Sequence, residues 1–152
     1  MKWNEMKWEW TEELKDESLI EEFEGFVGYT LPEDFKAAIP YINGGSPEYS
    51  DFNAGKSSVL DIDTILSFNK DDTDNIWNFQ GFDDTCEDYE GFSERYVSFA
   101  ISVGGDHICF DRTNNRVVYV DLEYAEATDV AASFTEFIDL LYNYEDEDED
   151  EE

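Results

Sequence analysis

The chain has 152 residues and a formal charge of −31, with 40 Asp and Glu against 9 Lys and Arg. Its 12 Phe, 9 Tyr and 4 Trp, within a hydrophobic content of 41%, can fill one sizeable core, so a single domain is expected. Such acidity excludes favourable contact with nucleic-acid phosphates or anionic lipid headgroups and favours encounter with a cationic protein, unless it serves solubility alone.

No stretch has the apolar length of a signal peptide or a membrane span, which predicts a cytoplasmic protein. Cys86 and Cys109 are isolated and lack CxxC spacing, the pattern of reduced thiols rather than a disulfide framework. The oligomeric state is open, with a monomer as the default.

Residues 1 to 15 fit a helix through Trp3, Met6 and Trp10 or a strand through Met6, Trp8 and Trp10, and both readings stand. From Ser18, the spacing of Leu19, Ile20, Phe23, Phe26 and Val27 predicts an amphipathic helix, with Ser18 and Glu21 as a capping box. In TLPEDFKAAIPYINGG, Thr30 is the cap region and Pro32 suits the first turn. Glu33 and Asp34 face the positive end of the helix dipole, and Phe35, Ala38, Ile39 and Ile42 form the buried stripe. Pro40 should make the last turn kinked or irregular. Asn43, Gly44 and Gly45 offer the left-handed conformations that stop a helix.

Residues 48 to 53, 58 to 62 and 64 to 68 read as short strands or strand-loop pieces. Val97, Phe99, Ile101 and Val103 alternate with Tyr96, Ser98, Ala100 and Ser102, the repeat of a half-buried strand. Gly104-Gly105 breaks it, HICFD resumes it, and Asn114-Asn115 turns the chain into RVVYVDLEY. Residues 96 to 123 therefore read as an antiparallel meander. Val130, Ala131, Phe134, Phe137, Ile138 and Leu141 have helical spacing. Ser133 and Glu136 form a capping box, so the regular helix is expected from Phe134, after a lead-in turn over 128 to 132. The final EDEDEDEE, residues 145 to 152, is expected to be a disordered tail. Its removal leaves most of the negative charge on residues 1 to 144, the expected domain.

The series FEG, LPEDFKAAI, NGG, SFN, FAISVGGDHICFD, VVYVD and AASFTEFIDLL resembles the SUKH superfamily, in its branch of Smi/Knr-type cell-wall-assembly regulators. The resemblance covers about residue 18 to residue 142. It implies an α+β fold, with helices packed on a mainly antiparallel or mixed sheet of about six strands. Bacterial relatives are commonly immunity proteins that bind and silence a toxin encoded beside them, and others are regulatory or adaptor modules. The matched residues Leu31, Pro32, Phe35, Asn43, Gly44, Gly45, Gly104, Gly105, Asp106, Ser133, Phe134 and Phe137 read as structural.

Partner specificity is assigned instead to residues 71 to 94. They contain Asp71, Asp72, Asp74, Asp83, Asp84, Glu87, Asp88, Glu90 and Glu94 without a Lys or Arg, interleaved with Trp77, Phe79, Phe82, Tyr89 and Phe92. Carboxylates steer and pair with cations, and desolvated aromatics anchor. The competing reading is a solvated insertion whose aromatics tuck into the core.

Catalytic chemistry is not expected. His107, Cys109 and Asp111 share one face of a strand, with His107 on the outer face and Ile108 and Phe110 inward, but same-face neighbours stand about 7 Å apart, beyond hydrogen-bond reach. No cofactor or metal is expected. One His and two distant Cys make a poor ligand set, and DDTDN at 71 to 75 fails EF-hand spacing, with Ile76 where glycine should be and Phe82 where the bidentate Glu should be. The composition and the resemblance together predict an immunity protein that occludes a basic nuclease toxin; the alternative is an adaptor.

Overall fold

The computed structural model describes residues 4–54, 58–80, 92–124 and 126–142. The elements run β1 (Trp8–Glu9), α1 (Ser18–Val27), α2 (Glu33–Ile42), β2 (Ser46–Pro47), β3 (Asp51–Ala54), β4 (Ser58–Asp61), β5 (Thr64–Ile65), a 3-10 turn (Ile76–Phe79), α3 (Phe92–Arg95), β6 (Tyr96–Ile101), β7 (His107–Asp111), β8 (Val117–Asp121), β9 (Glu126–Ala131) and α4 (Phe134–Leu140). Strands β5 to β9 form one antiparallel sheet in sequence order, while β1 with β2 and β3 with β4 make two-stranded ribbons. The α+β architecture is the expected one, with five strands in the main sheet among the described residues. Among the described residues of the ambiguous N-terminal stretch, Trp8 and Glu9 form a strand, paired with Pro47 and Ser46.

Each helix buries the stripe its spacing implies, with local differences. In α1, Phe23 is fully buried, but Phe26 is 60% exposed. Ser18 is the first helical residue and does not cap; Asp16 Oδ1 accepts its amide at 2.9 Å, which displaces the expected capping box. Helix α2 opens after Pro32, which occupies the cap position, and continues through the exposed Pro40 to Ile42. Its Asp34 reaches α4, where Oδ2 accepts from the Thr135 amide at 2.9 Å and the Thr135 hydroxyl at 2.8 Å. Ser133 caps α4 by accepting the Glu136 amide at 3.1 Å, as its spacing implies. Val130 and Ala131 belong to β9 instead of a lead-in turn, because residues 126 to 131 pair with β8.

Phe35 is the centre of the core. Its ring meets Phe99, Phe110 and Phe134 edge-on at 5.3, 5.1 and 5.0 Å, and Phe99 stacks on Phe110 at 4.2 Å. Burying each such ring contributes about 1.5–3 kcal/mol. All six residues of β6 are buried, not one face alone, and a bulge between Ser98 and Ala100 breaks the strict alternation. The second face is covered as well: Phe79 lies against His107, and Phe92 packs on a smaller cluster of Tyr96, Cys109, Val118 and Val120. Gly105 adopts φ 93° in the turn from β6 to β7, and Asp106 then accepts from the Tyr119 hydroxyl at 2.6 Å and the Leu122 amide at 3.0 Å, tying β7 to β8.

Candidate functional site

A cleft of about 430 Å³ opens where four separate stretches of chain converge. Trp10 and Glu12 come from the segment after β1, Gly44 from the turn after α2, Asp63 and Thr64 from the start of β5, and Asp71, Asp72 and Asp74 from the loop that follows β5. The sequence assigned only the last three to a binding surface. Trp10, Glu12 and Asp63 were missed because nothing in their local spacing connects them to residues 71–74. Trp10 stands on the lip with 80% of its surface exposed and with φ 64°, unusual for a residue other than glycine.

Buried amides hold these stretches together. Asn43 Nδ2 donates to the Glu12 carbonyl and to Ser67 Oγ, both at 3.1 Å, while its Oδ1 accepts the Phe68 amide at 2.8 Å. Ser67 Oγ also accepts the Asn69 amide at 3.1 Å and donates to Asp72 Oδ2 at 2.6 Å, so its one proton and two lone pairs are all used. Asn69 donates to the Glu13 carbonyl at 2.7 Å and accepts the Lys15 amide at 3.0 Å. Asn43 is therefore a bridge between three segments, with φ −49°, and only Gly44 of the NGG turn is left-handed, at φ 69°. A Cβ on Gly45 would meet Thr11 Cγ2 at 2.7 Å, which is the close approach that brings the 10–12 segment over the turn.

The cleft is electrostatically one-sided. Lys15 Nζ pairs with Asp71 at 2.6 Å across an exposed contact, and hydrogen bonding to it holds the Asp71 carboxyl below its ordinary range. The Asp63 carboxyl is pushed up by burial and by the charges of Asp74 and Asp61. Among the described residues, no three carboxylate, imidazole or thiol groups are arranged to hold a metal ion. The cleft's carboxylates, Glu12, Asp63, Asp71, Asp72 and Asp74, come from three separate stretches of chain.

Trp77 stands apart from the cleft. Its indole N–H donates to the Phe68 carbonyl at 2.9 Å, its ring packs edge-on against Phe23 at 5.3 Å and beside Phe26 at 5.4 Å, and Lys70 lies over it at 4.5 Å. Lys70 also pairs with Glu22. The other acidic and aromatic candidates, Asp83, Asp84, Glu87, Asp88, Tyr89 and Glu90, lie outside the described residues, as do Phe82, Cys86 and the 145–152 tail. Glu94 is exposed on α3.

His107 and Cys109 do share a face, opposite Ile108 and Phe110, but that face is covered and both side chains are buried. Ser98 sits between them, its Oγ 2.6 Å from His107 Nδ1 and 3.4 Å from Cys109 Sγ. Burial pushes the thiol up to about 12 and the imidazole down to about 4. These are the reverse of the shifts a thiolate nucleophile and its imidazolium partner need. Asp111 is engaged elsewhere, by Arg95 at 3.2 Å and by Thr113 at 2.6 Å.

No described helix is long and apolar enough to cross a membrane. Comparison with curated proteins finds no match for this sequence. A family model matches residues 16–140, which takes in α1 through α4 and every cleft residue named above except Trp10 and Glu12. That span is most of the chain, and the chain belongs to the SMI1 / KNR4 family (SUKH-1).

Proposed function

We propose that this protein is a non-catalytic immunity protein that binds a basic toxin domain, a nuclease by preference, through the acidic cleft. The family includes immunity proteins. The observation that carries the reading for this chain is the convergence of Glu12, Asp63, Asp71, Asp72 and Asp74 on one cleft with Trp10 at its lip. An enzyme that grips phosphates presents Lys and Arg, and the cleft's carboxylates can occupy those cations in place of the substrate. Screening at physiological salt extends about 8 Å, so the remaining surface charge adds speed of encounter more than strength of contact.

The test is co-expression with a basic nuclease domain encoded beside this gene. Protection of the host, with an association rate that falls steeply as salt rises and falls again in an Asp63→Asn, Asp71→Asn, Asp74→Asn variant, supports the reading. Absence of protection, or a rate indifferent to salt, rejects it. The second reading, a regulatory adaptor of the Smi/Knr type, rests on the same family membership and on the acidic tail. Deleting residues 145–152 separates the two, since an adaptor that recruits through its tail loses its partner and a cleft binder keeps it.

A further inference from the structure

We infer that the partner's cationic segment also carries an apolar side chain, which seats in a groove beside the acidic cleft; the inference rests on the reading above. The groove, of about 530 Å³, is lined by Asn4, Met6, Trp8, Thr11 and Tyr41. One stretch of chain borders both concavities, since Trp10 and Glu12 line the cleft while Trp8 and Thr11 line the groove. Met6 belongs to the main core and forms the floor, Trp8 packs against that core, and Tyr41 projects from α2 with 71% of its surface exposed.

Energetics call for such a seat. Exposed carboxylate pairs contribute only about 0–1 kcal/mol each, so the cleft by itself orients a partner without holding it. Most of the strength in a protein interface comes from a few desolvated apolar anchors. Trp77, three residues beyond Asp74, already spends its ring on Phe23 and Phe26.

Charge selects the occupant. Within residues 4–13, the described stretch that borders the groove, Glu5, Glu9, Glu12 and Glu13 are all exposed, against Lys7. An acidic segment is repelled there, and a second copy of this chain would bring another −31. An apolar residue flanked by Lys or Arg fits both concavities at once, its cations facing the carboxylates and its side chain covering Met6 and Trp8.

The experiment titrates the full chain, followed by NMR, with acetyl-Lys-Lys-Leu-Lys-Lys-amide, its serine analogue acetyl-Lys-Lys-Ser-Lys-Lys-amide, and acetyl-Glu-Glu-Leu-Glu-Glu-amide. The leucine cationic peptide is expected to bind about tenfold more tightly than the serine one and to shift the Met6 methyl and Tyr41 ring signals. The acidic peptide should do neither. Tyr41→Ser, at a side chain 71% exposed, should abolish most of the leucine advantage while leaving serine-peptide binding unchanged. Equal binding of the two cationic peptides, or a leucine advantage with unmoved Met6 and Tyr41 signals, overturns this inference and leaves the cationic-partner reading standing. Concentration-dependent shifts at Met6 without peptide overturn it in favour of self-association. Binding of the acidic peptide, or of no peptide, overturns both.

Discussion

Asn43 Nδ2 lies 3.1 Å from Ser67 Oγ in a fully buried position, joining residues 24 apart in sequence. Ser67 lines the acidic cleft, and through the Glu12 carbonyl and the Phe68 amide the same Asn43 side chain ties the segment that carries Glu12 to the stretch that leads into the 71–74 loop. Asn43→Ala leaves the Phe68 amide and the Glu12 carbonyl without this partner and takes one of its three hydrogen bonds from the buried Ser67 hydroxyl. A loss of about 3 kcal/mol in urea-unfolding stability is expected, with weaker partner binding even at temperatures where the variant is folded. A loss under about 0.5 kcal/mol would show the bridge to be incidental.

His107 makes stability depend on pH in a definable direction. Burial lowers its folded pKa to about 4 from an ordinary 6.5, so between those values the unfolded chain binds the extra proton. The stabilisation is complete above pH 6.5, falls as pH drops toward 4, and amounts to about 3 kcal/mol at most. Protonation of surface carboxylates relieves self-repulsion over part of the same range with the opposite sign, so the informative quantity is a difference. Wild type should lose more stability than His107→Gln between pH 7 and pH 4.5, as measured by chemical denaturation at each pH. Parallel curves would show that the imidazole is not the titrating group.

Gly45→Ala should cost about 1–3 kcal/mol, because the new Cβ would sit 2.7 Å from Thr11 Cγ2 and 3.0 Å from the Ile42 carbonyl. Thr11→Ser removes that methyl at an exposed site. Combining the two should recover part of the loss, a coupling that thermal unfolding of the four proteins in a double-mutant cycle would reveal. Strict additivity would mean that the Ile42 carbonyl alone sets the penalty.

Trp77 separates a packing role from a binding role. Its indole N–H bond to Phe68 and its contact with Phe23 are internal to the fold, so Trp77→Ala should lower stability by about 3 kcal/mol. Trp77→Phe, which keeps most of the ring, should leave the affinity for a partner within twofold while Trp10→Ala lowers it severalfold. The reverse ranking in a binding titration would place the partner's aromatic contact on the 71–94 stretch and not on the cleft lip.

The helices at Ser18–Val27, Glu33–Ile42 and Phe134–Leu140 and the meander from Tyr96 onward were legible because helical and strand periodicity, capping and turn chemistry act over a few residues, and local spacing records them. The same holds for Phe35, Phe134 and Phe137 as core positions and for the ordered motif series that marks the family. The assembly of the cleft is a different kind of fact. Glu12 and Asp63 meet Asp71 and Asp74 only because Asn43, Ser67 and Asn69 close three distant segments on one another. Strand alternation correctly put His107 opposite Ile108, yet burial of that second face depends on Phe79 and Phe92 folding back over it from elsewhere in the chain. Periodicity shows which side of an element is apolar, and long-range closure decides what is laid against the other side; here that closure turned a scattered acidity into a cleft.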